Sequence, residues 1–367
     1  MNIERFHALV ASLADELETT KVTELMTQLA QGLRQMSQDP SQPAYQQQVS
    51  NARSGLLEAL NAAPSNGYSP GWRQSLEELE VGSLVGTGLS RLVEDVLARN
   101  ELTATTAADE LEPLAERVQA LTTACKNVLD GLRFFDIDTE DLNPGEFEIS
   151  FLIPRAEVDE ELGELGHELE QIKRLLGPLL ELSIGARPNV TVRSISSSAF
   201  EIFLVSAPAT ALVVAKVIES LVTSYEKLTN IRVSQQQLED DGVPAEALAP
   251  VKRHANELME REIDGLVEEL LTDAQVADNG RRNELKIELT ISLNGLANRI
   301  DRGYGVDVRA GELPEPEEDV ESTPQEKETR TAANEVLSRQ QRLRFLKLDG
   351  KPILALPEAT DEAEPGA

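Results

Sequence analysis

Four groupings in this sequence have residue types and spacings that chemistry uses. Gly82-Ser-Leu-Val-Gly-Thr-Gly-Leu-Ser90 brings small residues together as phosphate-cradling loops do, because closely spaced glycines let backbone N–H groups approach an anion. It lacks the lysine of a P-loop and the full Gly-x-Gly-x-x-Gly fingerprint, so a helix entry packed through small residues is the commoner explanation. Asp136-Ile-Asp-Thr-Glu140 begins like a calcium loop, with carboxylates at alternate positions. Asp141 stands where that loop needs glycine and Phe147 where it needs a bidentate glutamate, which leaves an acidic turn between domains.

Glu4 with His7, and Glu164 with His167, repeat the Glu-x-x-His spacing of di-iron bundles. Such a site needs two further inward glutamates, and among 65 acidic residues these pairs arise by chance. His254 belongs to no better motif, and no Gly-x-Ser-x-Gly elbow marks an activated serine. No cofactor and no metal are therefore expected.

The fourth grouping is basic. Between Arg330 and Pro357, Arg330, Arg339, Arg342, Arg344, Lys347 and Lys351 face only Glu335 and Asp349, in a chain of net charge −31. A nucleic-acid arm would want more aromatics than Phe345, and the acidic surroundings would repel a phosphate strand. A strand pair suits the pattern better: Leu343 to Leu348 and Ile353 to Leu356 flank Asp349-Gly350, a hairpin signal, and Arg342, Arg344 and Lys347 would face acidic strand residues such as Glu146 and Glu148.

The elements that must position these residues follow from periodicity. The first third reads as helical, and its strongest helix follows Thr105 with apolar residues at Ala107, Leu111, Leu114, Val118, Leu121, Cys125, Val128 and Leu132, a 3.5-residue average. Val158, Leu162, Leu165, Leu169, Ile172, Leu176 and Leu179 form a second such seam. Strands are predicted at Glu146 to Ile153, Val190 to Ile195 and Phe200 to Val205, and from Leu285 to Leu293, where Leu285, Ile287, Leu289, Ile291 and Leu293 alternate with polar residues. Pro208 opens a helix to about Leu228, and another runs from Val243 to Thr272. Ile202 to Ala215, the longest charge-free run near the chain centre, is 14 residues and holds Pro208, short of the roughly 20 that span a membrane.

The expected fold class is α+β: a helical N-terminal domain (1–133), then a central domain (134–310) with a mixed or antiparallel sheet in split βαβ-like order packed by long helices. An acidic, Pro-rich disordered linker (311–328), a basic helix and tethered C-terminal β-hairpin (329–357) and a disordered acidic tail (358–367) follow. The only cysteine, Cys125, excludes an internal disulfide, and Glu4, Asp15 and Glu16 interrupt the first apolar run, so a cytoplasmic protein without a secretory signal is expected. General nucleic-acid and membrane binding are disfavoured by the charge.

The function these features favour is non-enzymatic: an assembly or interaction protein, with a protein partner that includes itself. Self-association would run through the heptad-like helices, at Leu111, Val118, Leu162 and Leu169, and through the hairpin at Arg339, Arg342, Arg344, Phe345 and Lys347. Two alternatives stand beside it. One is an acidic regulator of a basic partner such as a nucleic-acid enzyme, and the other is an enzyme whose polar groups gather only in three dimensions.

Overall fold

The structure is a computed structural model that describes residues 2–158, 161–196, 200–276, 278–311, 313–314 and 323–358, apart from the side chain of residue 245. It divides into two compact units, Met1–Asp141 and Leu142–Ala367.

Within the first unit the helices are α1 (Ile3–Thr19), α2 (Val22–Gln38), α3 (Pro43–Asn61), α4 (Pro70–Glu78), α5 (Gly86–Arg99) and α6 (Ala104–Phe134). Asn2 and Ser69 cap α1 and α4 by accepting the N–H groups of Arg5 and Trp72, and Pro70 fills a first-turn position whose N–H needs no partner. The expected α6 seam is real and is used at home. Ala107, Leu111, Val118, Cys125 and Leu132 are buried, and Leu114, Leu121 and Val128 pack partly buried on the unit's own core with Leu9, Leu13, Met26 and Leu29.

The second unit comprises β1 (Phe147–Ile153), α7 (Leu162–Ile184), β2 (Thr191–Ser196), β3 (Phe200–Ser206), α8 (Pro208–Asp240), α9 (Ala245–Asp273), α10 (Asn279–Asp301), β4 (Gly305–Ala310) and α11 (Pro324–Gln340). Its four strands form an antiparallel sheet in the order β2-β3-β1-β4. Alternation in β1 sends Phe147, Ile149, Phe151 and Ile153 to one face, where Phe151 stands between Ile202 and Val306, and Ile149 between Leu204 and Val308. That face joins α7 to α11 in one core. The class is α+β, with split βαβ element order.

Four expectations need correction. Leu285 to Leu293 is helical, within α10. Leucines four apart satisfy a period of 2 and a helix face equally, and Ile287, which only a strand would bury, is 63% exposed. The fourth strand is instead Gly305–Ala310. The acidic linker ends before Glu328, because Thr323 and Glu326 close a capping box (Thr323 N to Glu326 Oε2 2.7 Å; Glu326 N to Thr323 Oγ1 3.2 Å) that starts α11. Residues 341–358 contain no strand; from residue 343 they form no regular element, and Leu343, Ile353, Leu354 and Leu356 pack into the core with the helices. The other linker residues, 312 and 315–322, and the tail from 359 lie outside the described residues, whereas Glu358 is hydrogen-bonded.

No helix among the described residues is long and apolar enough to cross a membrane.

Candidate functional site

A dense polar network in the second unit lies where residues 349–358 meet α8, α9 and α10. On α10, Asn294, Asn298 and Asp301 follow an i, i+4, i+7 spacing, which puts three short polar side chains on one helix face while Leu293, Leu296, Ala297 and Ile300 enter the core. All three grip main chain. Asp301, fully buried, accepts from Ile353 N (2.7 Å) and Leu354 N (2.6 Å) through Oδ2. Asn298 takes Leu356 at both ends, accepting its N–H and donating to its carbonyl, each at 3.0 Å. Asn294 Nδ2 donates to Pro357 O (2.9 Å), and from α9 Asn256 Oδ1 accepts Ala355 N (2.8 Å).

A buried charge must be paired, and Asp301 is. Arg232 of α8 donates Nη1 to Asp301 Oδ1 (2.6 Å) and to Tyr225 Oη (2.8 Å), and Tyr225 in turn donates to Asp301. Burial, and then the Asp301 carboxylate beside it, push the Tyr225 hydroxyl well above its ordinary pKa, so it stays a donor. The rest of the Arg232 fork points at the segment: Nε to Asp349 O (2.7 Å) and Nη2 to Gly350 O (2.5 Å). Gly350 takes φ +80°, a left-handed conformation that glycine adopts without strain, at the pair where a hairpin was expected and none forms. These bonds explain why no hairpin ladder forms. The N–H and carbonyl groups that a neighbouring strand would take are taken by side chains.

At the far end Arg299 holds Glu168 of α7 through Nε (2.6 Å) and Nη2 (3.1 Å), and offers Nη1 to Glu358 (3.1 Å), whose other oxygen takes Asn298 Nδ2 (2.5 Å). Ile353, Leu354 and Leu356 are buried in the unit's core, and Ala355 faces out.

The basic residues singled out in the sequence surround this segment, opposite α8 rather than the sheet. Arg339 and Arg342 share Glu219, with Arg339 Nη1 at 2.6 Å; Arg344 pairs with Glu226, and Lys351 with Glu239 (3.1 Å). Burial raises the Glu219 pKa, but the two guanidinium groups outweigh it and hold the carboxyl below its ordinary value. Phe345 lies against Gly305 of β4, where an added Cβ would stand 2.8 Å from the ring. Lys347 is exposed. The expected facing of Arg342 and Arg344 with Glu146 and Glu148 is therefore corrected. Those carboxylates accompany Arg193 of β2 (2.7 and 3.5 Å), whose hydrogen bond, with one from Asn143, takes Glu146 down to about 2.

The seam residues go elsewhere. Leu111 and Val118 are buried in the first unit; in the second, Leu169 is half-buried and Leu162 is 86% exposed at the start of α7.

The other motifs resolve into structure. At the glycine run, Glu16 accepts Ser65 N (2.6 Å), Ser65 Oγ (2.9 Å) and the Gly86 N–H, and Asn66 Oδ1 accepts Thr87 N (2.7 Å). A carboxylate and an amide already occupy the start of α5 where a phosphate would sit. Glu140 of the acidic turn is bound by Arg5 and Asn2. No three His, Cys, Asp or Glu side chains among the described residues gather as a metal would require. A cavity of about 90 Å³ between α7, β3 and α8, lined by residues such as Leu176, Leu180, Ile184 and Leu204, is predominantly apolar.

Asn294, Asn298, Asp301, Asn256 and Arg232 escaped the sequence reading, since polar residues on a helix signal a wet face. The one available signal was the i, i+4, i+7 recurrence of Asn, Asn and Asp on a helix with leucines opposite. Comparison with protein-family models, curated proteins and solved structures finds no match for this chain.

Proposed function

We propose that this is a non-enzymatic assembly and interaction protein that joins copies of itself through its C-terminal segment. Both heptad-like seams spend most of their apolar residues inside their own units, so the reading rests on that segment. The observation that carries it is the mode of attachment: residues 349–358 belong to no helix or strand ladder and are held by side chains that would receive the same segment from another chain equally well. Passing an identical element between protomers is a low-cost route to a dimer.

Light scattering tests the reading. The full chain should give a concentration-dependent mass above 40.2 kDa, and deletion of residues 330–367 should lower it to that of one chain. A full chain that remains monomeric at high concentration contradicts it.

A further inference from the structure

Residues 353–358 lie in their groove as a peptide lies in a receptor. The main-chain donors are recognised in a row: consecutive N–H groups of Ile353, Leu354, Ala355 and Leu356, and the carbonyls of Leu356 and Pro357, each meet a side chain of α9 or α10. A helix keeps its own backbone bonds whether or not a ligand is present, so these side chains stay in register when the segment leaves. Asp301 also keeps Arg232 and Tyr225. The groove is thus preformed, which lowers the ordering cost of binding.

It is selective as well. Ile353, Leu354 and Leu356 are buried while Ala355 faces out, so the pattern read is apolar, apolar, any, apolar. Two positions beyond, the Glu358 carboxylate meets Arg299 and Asn298. Ahead of it, Glu219, Glu226 and Glu239 of α8 meet Arg342, Arg344 and Lys351.

We infer that this groove is a receptor for an extended segment of that chemistry, filled in one chain by its own residues 353–358 and open to the same residues of a second copy. Charge chooses that occupant. In a chain of net charge −31, two copies repel over most of their surfaces, and residues 330–357 supply the one strongly basic stretch to set against the acidic row on α8. The inference rests on the self-association reading above and names its site.

The test is a labelled synthetic peptide of residues 342–358 titrated by fluorescence anisotropy against the full-length chain. Ile353→Asp with Leu356→Asp prevents a chain from filling its own groove while leaving the groove untouched. This variant should bind the peptide about tenfold or more tightly than the wild type, whose groove is already taken. Adding Asn298→Ala and Arg299→Ala should abolish binding, and Glu358→Gln in the peptide should weaken it severalfold. A second measurement covers failure of the double-Asp variant to fold: excess unlabelled peptide should speed hydrogen exchange at the protein's own residues 353–356. Absence of binding by the folded variant, binding unchanged by the groove substitutions, or exchange that ignores the peptide each overturns the proposal. A chain that captures the peptide yet stays monomeric removes the self-association reading and leaves the groove assigned; an oligomer indifferent to the peptide removes the groove instead.

Discussion

Asn298 and Leu356 form a two-point clasp: one side-chain amide accepts the N–H and donates to the C=O of the same residue, both at 3.0 Å, as a neighbouring strand would. Asn298→Ala leaves both groups buried without these partners. A buried unsatisfied group costs about 1–3 kcal/mol, so the urea midpoint should fall accordingly and the amides of Ile353 to Leu356 should exchange faster than the rest of the second unit.

Arg232 and Arg344 both bind acidic partners, yet their removal should differ sharply. Arg232→Met strands the fully buried Asp301 and should cost about 3–5 kcal/mol. The Arg344 side chain is 59% exposed, so Arg344→Ala should cost about 0–1 kcal/mol. Equal losses in denaturant titrations would contradict the latch described here.

Acid should separate the two units. Glu146, Glu181, Glu219, Glu239, Glu262 and Glu268, all in the second unit, have lowered pKa values. Their stabilisation is present above the ordinary carboxylate value of 4.5 and is lost as pH falls through the folded values, to about 2 for Glu146. Glu16 in the first unit runs the other way: burial raises its pKa against the Ser65 and Gly86 hydrogen bonds, so its contribution is present below 4.5 and lost as pH rises through the raised value. On acidification, hydrogen exchange in the second unit should rise before the fluorescence of Trp72, the only tryptophan and a first-unit residue, changes. Loss of the Trp72 signal first would refute this ordering.

If the α6 seam is internal, its truncation affects stability and leaves particle mass alone. Leu111→Ala should cost about 2–5 kcal/mol, since Leu111 is fully buried, while Leu162→Ala, at an exposed position, should cost little. A change in mass with unchanged stability would place the seam between copies.

Sequence made some of this legible and hid the rest for physical reasons. Strand β1 announces itself because Phe147, Ile149, Phe151 and Ile153 alternate with residues that include Glu148 and Ser150, and the seam of α6 shows because every third or fourth residue packs on the core of its unit. In α10 the leucines at 285, 289 and 293 fit two periods, and only the environment of Ile287 decides between them. Of the site, the sequence exposes the cations, since charge is a local property, while the hairpin it suggests at Asp349-Gly350 does not form. It conceals their partners, because Glu219 lies 120 residues from Arg339 and Asn298 lies 58 from Leu356.

The most direct measurement of the central claim is disulfide trapping between differently tagged chains, all in a Cys125→Ser background. One chain carries Ala355→Cys and the other Asn256→Cys, positions brought together by the 2.8 Å bond from Ala355 N to Asn256 Oδ1. A chain with both substitutions, which closes an internal disulfide, verifies the geometry. Mixed single-cysteine chains should oxidise to a covalent heterodimer carrying both tags. Cross-linking confined to the double-cysteine chain, with none between chains, would contradict exchange of the C-terminal segment.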